Sequence, residues 1–257
     1  MGILQNRVIL ITGAGQGLGK AVALESVREG AHVALVERNA QALEETVNHI
    51  RQIGGRVEGY PLDITNYPAY EEAMDDVVKK FGRLDVLVNN AAIVSFSKIM
   101  TMTLEEWREV ITVNLEAVFM GSKFATKYMI PQNSGHIISV TSIQGFTSSG
   151  SLGHYNAAKG GIIALTKSMC VELAPFNILV NCVAPGFMHT AMSNVDGLDE
   201  TTTPEFQEWY VKKRKIPVGR TGYPEDVSGT IVFLSSDYCR YLTGQLIIVD
   251  GGITSTF

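Results

Sequence analysis

A chain of 257 residues, 46% hydrophobic and 18% charged, is long enough to bury a sizeable core and too apolar for intrinsic disorder. Its 21 basic and 26 acidic side chains give a net charge of −5, so no basic field marks it as a nucleic-acid binder. Three cysteines, Cys170, Cys182 and Cys239, show no C-x-x-C spacing, which argues against a disulfide framework or a thiolate zinc site and suits a reducing compartment. No basic-plus-apolar leader precedes the first strand-like run, and no apolar stretch reaches membrane-spanning length. The expectation is a soluble cytoplasmic protein without membrane contact.

Short apolar runs alternate with longer helical patterns along the chain. Residues 8–11 read as a strand and 17–29 as a helix; 32–36 and 39–53 repeat the pair. A weaker strand candidate at 56–60 precedes helical 67–80, and 84–88 precedes a long helical stretch at 103–130. Strand 136–140 leads to helix 153–174, then 178–183, 224–235 and 246–249 complete the series. Near-continuous Val, Ile and Leu in the strands imply a parallel sheet covered on both faces. The fold class is therefore α/β, a Rossmann-like doubly wound parallel sheet of about seven strands with helices on both faces. No linker or repeat divides residues 1–257, which read as a single domain.

The alternation breaks at 187–217. This stretch runs through Phe187-Met188-His189-Thr190 and Asp196-Gly197, and is expected to start a short helix at Pro204 with Thr203 as its cap. An insertion after a late strand is where α/β folds place substrate lids; a mobile surface loop is the other reading.

Thr12-Gly13-Ala14-Gly15-Gln16-Gly17-Leu18-Gly19 joins the first strand to the first helix. Glycines permit a tight turn and close approach of a pyrophosphate to backbone, and a helix N-terminus offers N–H groups to the anion. The spacing differs from G-x-G-x-x-G and lacks the Lys-Ser/Thr of a P-loop. The second strand ends at Glu37, where an acidic side chain meets the hydroxyls of an adenosine ribose and repels a 2′-phosphate. Gln16 is neutral where a phosphorylated cofactor would want a cation. Arg38 next door has three readings: over a phosphate, stacked on adenine, or in solvent. NAD is the expected cofactor.

Further landmarks follow in order: Asp63-Ile64, Asn89-Asn90-Ala91-Ala92, Asn114, Ser142, Tyr155, Lys159, Pro185-Gly186 with Met188 and Thr190, and Asp250-Gly251-Gly252. With the glycine turn they resemble the short-chain dehydrogenase/reductase family along nearly the whole chain. Ala92 and Asn177 stand where that family often has glycine. The resemblance implies one NAD(P)-binding domain with a cofactor site at Gly13, Gln16, Gly17, Leu18, Gly19, Glu37, Arg38, Asp63, Ile64, Asn90, Tyr155, Lys159, Pro185, Gly186, Met188 and Thr190. It implies a catalytic set of Asn114, Ser142, Tyr155 and Lys159. Ser142 is expected to hold the substrate oxygen, Lys159 the nicotinamide ribose, and Asn114 a water leading from Lys159 to solvent.

Tyr155 and Lys159, four apart, share one helix face. A phenol ordinarily titrates near 10, and lowering it to about 8 requires roughly 3 kcal/mol. A cation about 4 Å away at an effective dielectric near 20 supplies about 4 kcal/mol, so Lys159 with an oxidised nicotinamide ring suffices on magnitude. The five histidines, His32, His49, His136, His154 and His189, lack metal-ligand spacing, and no metal is expected. His154 reads as a pocket wall or a surface residue.

The resulting expectation is an NAD-dependent oxidoreductase interconverting a secondary alcohol or lactol and its carbonyl, on a sugar, polyol or sugar acid. Gln144, Ser148, Ser149 and His189 are candidate hydroxyl binders; Phe146 and Phe187 equally suit an apolar wall. Reduction of a 3-oxoacyl thioester is the alternative within enzymes, and a non-catalytic nucleotide-sensing scaffold the alternative outside them. The run Lys212-Lys213-Arg214-Lys215 reads as a solvated face or as contact with an anionic group. On the helix at 153–174, Ile162, Leu165, Met169 and Leu173 suit the sheet, whereas Ala157, Gly161, Ala164 and Ser168 form a small-residue stripe suited to close helix approach. A homotetramer with two-fold interfaces is expected from the resemblance.

Overall fold

The computed structural model describes residues 2–195 and 197–256; Asp196, half of the expected Asp196-Gly197 turn, lies outside them. Seven strands form one parallel sheet: β1 (Val8–Thr12), β2 (His32–Glu37), β3 (Val57–Pro61), β4 (Val86–Asn89), β5 (Gly135–Val140), β6 (Ile178–Pro185) and β9 (Leu246–Val249). Their order across the sheet is β3-β2-β1-β4-β5-β6-β9. Chain direction thus reverses its spread between β1 and β4. That reversal opens a crevice at the carboxyl ends of the strands.

Two-residue periodicity decides which helices cover which face. Ile9, Ile11, Val33, Leu35, Val86 and Val88 point into one core with α1 (Gly17–Arg28), α2 (Ala40–Gln52) and α8 (Pro224–Leu234). Val8, Leu10, Ala34, Val36 and Leu87 point into the other, with α3 (Tyr67–Phe81), α5 (Ala117–Gln132) and the far end of α6 (Gly153–Leu173). The strand residues facing both cores are aliphatic, which is why the strand sequences read as apolar runs.

Where boundaries moved, the cause is visible. Leu84 is fully buried but precedes β4, because its amide is taken by the Gln132 side chain and not by a neighbouring strand. The stretch at 103–130 is α4 (Leu104–Ile111), a π-helical turn over Thr112–Glu116, and α5. A capping box between Thr103 and Glu106 starts it, and Asn133 in the left-handed conformation ends it. Asn177 is likewise left-handed, φ 54°, so asparagine there meets the same backbone demand as glycine; Ala92 is not among the positive-φ residues and bears no strain.

Residues 187–217 carry more structure than a loop. A short antiparallel pair, β7 (Asn194–Val195) and β8 (Leu198–Asp199), precedes α7 (Pro204–Phe206), which continues as a π-helical turn over Gln207–Lys212. Thr203 Oγ1 accepts from the Phe206 amide and Pro204 occupies the first turn, as the sequence predicts. Phe187, Phe206 and Tyr210 pack ring to ring at 4.6–5.0 Å between centroids and fold the segment back over the strand ends.

Candidate active site

A cleft of about 400 Å³ lies over the carboxyl ends of β1 to β6, where the strand order reverses. Its floor begins at the glycine turn. Gln16 precedes α1 with an extended backbone and no side-chain cap, and α1 has no acidic residue in its first turn. The first N–H groups of α1 are therefore left for an anion. Gly17, φ 53°, faces open space: an added Cβ meets only the Thr190 side chain, at 3.6 Å. Gly13 and Gly19 have a different duty. A Cβ on Gly13 would sit 2.8 Å from the Ala91 Cα, and one on Gly19 would sit 2.2 Å from the Gly13 carbonyl. Gly19 accordingly packs behind the turn, against the Gly13 carbonyl, and does not line the cleft wall.

The turn is bolted to the end of β4. Thr12 Oγ1 accepts from the amides of Asn90 and Ala91, both at 3.0 Å, while Asn90 Nδ2 donates to the carbonyls of Thr12 (2.9 Å) and Gly13 (3.1 Å). Sequence reading missed Thr12; its one signal is a hydroxyl on the last strand residue before the glycines. Glu37 ends β2 in the cleft wall, its two carboxylate oxygens accepting from the amides of Gly15 (3.2 Å) and Asn39 (2.9 Å). Arg38 lies beside it, exposed. Leu18, Asp63, Ile64, Asn90, Pro185, Gly186, Met188 and Thr190 also line the cleft, so the expected dinucleotide residues other than Gly19 converge there. Free helix amides, an open glycine and a pre-set carboxylate fit a dinucleotide.

Tyr155 lies in the first turn of α6 and Lys159 one turn later, both buried and both on the cleft wall with Ser142. Lys159 Nζ donates to the Val140 carbonyl at 2.7 Å and lies 5.7 Å from the centre of the Tyr155 ring. Burial pushes the Tyr155 phenol up to about 12, with the Ser142 hydroxyl pulling the other way, and burial pulls Lys159 down to about 8. Desolvation therefore dominates the phenol in the protein alone; the expected descent involved the oxidised nicotinamide ring as well as Lys159. Thr141 Oγ1 donates to the Lys159 carbonyl at 2.7 Å and ties β5 to α6 at this level.

Asn114 is fully buried in the π-helical turn and does not reach the cleft. Its side chain exchanges two bonds with Ile93, accepting from the amide at 2.9 Å and donating to the carbonyl at 2.8 Å. It holds the segment after β4 in place. His154 corrects another expectation. It is neither pocket wall nor surface residue but fully buried, Nδ1 accepting from the Tyr155 amide and Nε2 bonded to Ser95 Oγ, both at 2.9 Å. Gln144, Ser149 and Phe187 line the cleft, whereas Ser148, Phe146 and His189 do not. Among the described residues no cluster of three or more His, Cys, Asp or Glu is arranged to hold a metal, and no helix is long and apolar enough to cross a membrane.

This combination defines a nucleotide-dependent oxidoreductase of the Rossmann type. Comparison with known proteins narrows the class. Residues 13–254 match the family model described as enoyl-(acyl carrier protein) reductase. The chain is 40% identical to the 3-oxoacyl-[acyl-carrier-protein] reductase FabG of Thermotoga maritima, covering 97% of this chain and 98% of that one. It is 35% identical to the 5-keto-D-gluconate 5-reductase of Escherichia coli K12, covering 97% and 96%. Carveol dehydrogenase from Mycobacterium avium, solved in complex with NAD, superposes with a TM-score of 0.92 over the whole of both chains at 26% identity. The chain belongs to the short-chain dehydrogenase/reductase family and is an oxidoreductase acting on CH–OH groups.

Burying Lys159 has a thermodynamic consequence. With its pKa lowered from 10.5 to about 8, the folded chain releases a proton that the unfolded chain retains between those values, so stability rises with pH across that window. Below pH 8 the charged amine opposes folding. Lys159→Met should therefore raise stability at pH 7 by on the order of 1–3 kcal/mol and flatten the rise between pH 8 and 10.5. Thermal unfolding across pH checks this; a lower midpoint for the variant at pH 7 would refute it.

Proposed function

We propose that the protein is an NAD-dependent oxidoreductase interconverting a secondary alcohol or lactol and its carbonyl on a sugar, polyol or sugar acid. The observation that carries this reading is the buried Tyr155 phenol, with Ser142 beside it and Lys159 beneath, at the wall of a cleft built for a dinucleotide. Polar Gln144, Ser149, Ser193 and Thr201 in the wall support a hydroxylated substrate. Residues 187–217 act as the lid, since Phe187, Met192 and Tyr210 supply its inner face.

When bound, the nicotinamide would supply the hydride acceptor for oxidation in its oxidised form, with a positive charge near the phenol, and the hydride donor for reduction in its reduced form. The chain handles the proton. In reduction, Tyr155 donates its phenolic proton to the carbonyl oxygen while Ser142 holds that oxygen. In oxidation, Tyr155 must first lose that proton, and the buried phenol resists doing so. Lys159 orients the ribose and adds positive charge that favours the phenolate.

The 3-oxoacyl thioester reading draws support from the Thermotoga relative. An acidic carrier protein would call for free cations at the mouth, and the basic run is largely engaged. Lys212 pairs with Glu208 at 3.2 Å, Lys213 stacks over Trp209, and Arg214 donates to the Pro217 carbonyl. The engaged basic run is the observation that favours a sugar or polyol here.

Tyr155→Phe should lower turnover by about 10²- to 10⁴-fold with cofactor affinity nearly unchanged. Wild-type alcohol oxidation should climb with pH through the alkaline range, where the phenol begins to ionise, while carbonyl reduction stays flat and declines there. Substantial activity in the variant, or an oxidation rate independent of pH, would overturn Tyr155 as the proton-transfer group.

NAD preference rests on Glu37, whose carboxylate is fixed by two backbone amides where a 2′-phosphate would otherwise lie. Catalytic efficiency should favour NAD over NADP, and Glu37→Ser should erase or reverse that preference with Arg38 as the new anchor. A wild-type preference for NADP would assign the pocket to Arg38.

The assembly reading is a homotetramer. Ala157, Ala164 and Ser168 of α6 are exposed, as a close helix contact requires, and Tyr238, Tyr241 and Ile248 expose a second apolar surface near the free edge of the sheet. Gly161 packs instead on Leu115 of the same chain. Light scattering at micromolar concentration should give four chains; a monomer would remove the proposal.

A further inference from the structure

Charge in the cleft is distributed unevenly. Of the described residues that line it, Glu37, Asp63 and Glu200 are the carboxylates and Arg38 and Lys159 the basic side chains. Glu37, Arg38 and Asp63 lie at or just beyond the ends of β2 and β3, at the adenosine end. Lys159 is buried, its ammonium spent on the Val140 carbonyl and the cofactor side. Glu200 alone stands on the lid side, and no described cation forms an ion pair with it.

Its placement is enforced by its neighbours. Asp199, immediately before it, accepts from the Thr201 amide (3.0 Å), the Thr201 hydroxyl (2.7 Å) and His189 Nδ1 (2.9 Å). Thr203 closes the other side, its amide and hydroxyl donating to the Glu200 carbonyl at 3.2 and 2.9 Å. The backbone of Glu200 is thus pinned at both ends, and the residue itself is exposed at the cleft wall. Its reach is visible at Tyr210, another wall residue: burial raises that phenol and the Glu200 charge raises it further.

We propose that Glu200 is a specificity-determining residue that sets a negative potential over the substrate half of the cleft and selects neutral polyhydroxy substrates over carboxylate-bearing ones. The proposal rests on the sugar or polyol reading above and narrows it, placing sugar acids outside the preferred class. An anion entering beside Glu200 meets repulsion, since among the described residues the lid side carries no lining cation and Lys159 is buried in the opposite wall. A neutral polyol meets none, and its hydroxyls can donate to the carboxylate.

The test separates the filter from the substrate. NADH bound to the protein fluoresces, and iodide or acrylamide reaching it through the cleft mouth quenches that emission. At low ionic strength Glu200→Gln should raise quenching by anionic iodide roughly two- to threefold, as expected for one unit charge several ångströms away in a wet mouth. Quenching by neutral acrylamide should not change, and the iodide difference should shrink at about 0.5 M salt. Unchanged iodide quenching would overturn the filter, and so would a parallel rise with both quenchers, which would mean a loosened lid. Turnover of D-sorbitol and D-gluconate, a neutral and an anionic six-carbon pair, then reads the consequence. Wild type should favour sorbitol, with Glu200→Gln narrowing the gap mainly through KM. A charge-selective quenching result with no turnover of any sugar or polyol would keep the filter and sink the substrate reading; wild-type preference for gluconate would sink the filter.

Discussion

The site hangs on the bond between Thr12 and Asn90 at the point where the strand order reverses. Parallel strands that diverge leave backbone amides and carbonyls at their ends without partners, and such groups are costly to bury unsatisfied. The Thr12 hydroxyl and Asn90 carboxamide meet four of these groups at once. That closure holds the glycine turn against the end of β4, which is why glycines 13 and 19 have no room for a side chain. From Asn90 the chain runs on to Ile93, where the Asn114 side chain grips the backbone in both directions. A hydroxyl and two carboxamides thus carry order from the phosphate turn to the base of the catalytic wall.

Chemistry at that wall is set by the contest between desolvation and charge. Burial keeps the Tyr155 phenol protonated and weakens the Lys159 ammonium. A protonated phenol is the form able to donate a proton, and nearby positive charge favours the phenolate.

The segment at 187–217 combines two kinds of restraint. Stacked aromatic rings anchor its helical half on the strand ends, and the His189–Asp199–Thr201 network anchors its hairpin half. Burial opposes ionisation of Asp199, but these hydrogen bonds prevail and hold its carboxyl at about 2, so the network keeps its acceptor charged at any physiological pH. His189 is thereby tied into the hairpin by Asp199 and Thr201.

The alternation of apolar runs and helical patterns determined the seven parallel strands from the sequence alone, because a strand buried on both faces leaves no polar position to blur its reading. Thr203 with Pro204 announced a helix start, and Asn177 a left-handed turn, because each meets a local backbone demand. Convergence on the cleft of residues spread from Gly13 to Thr190 was legible only through the resemblance to a family. What tertiary structure decided is every property set by distant neighbours. His154 sits fully buried because Ser95 and the Tyr155 amide complete its hydrogen bonds, and Gly19 lies out of the cleft because Gly13 stands in front of it. The elevation of the phenol, the lid's hairpin and the isolation of Glu200 likewise depend on which groups meet across long sequence separations. Periodicity records which face of an element is buried, but not what it is buried against.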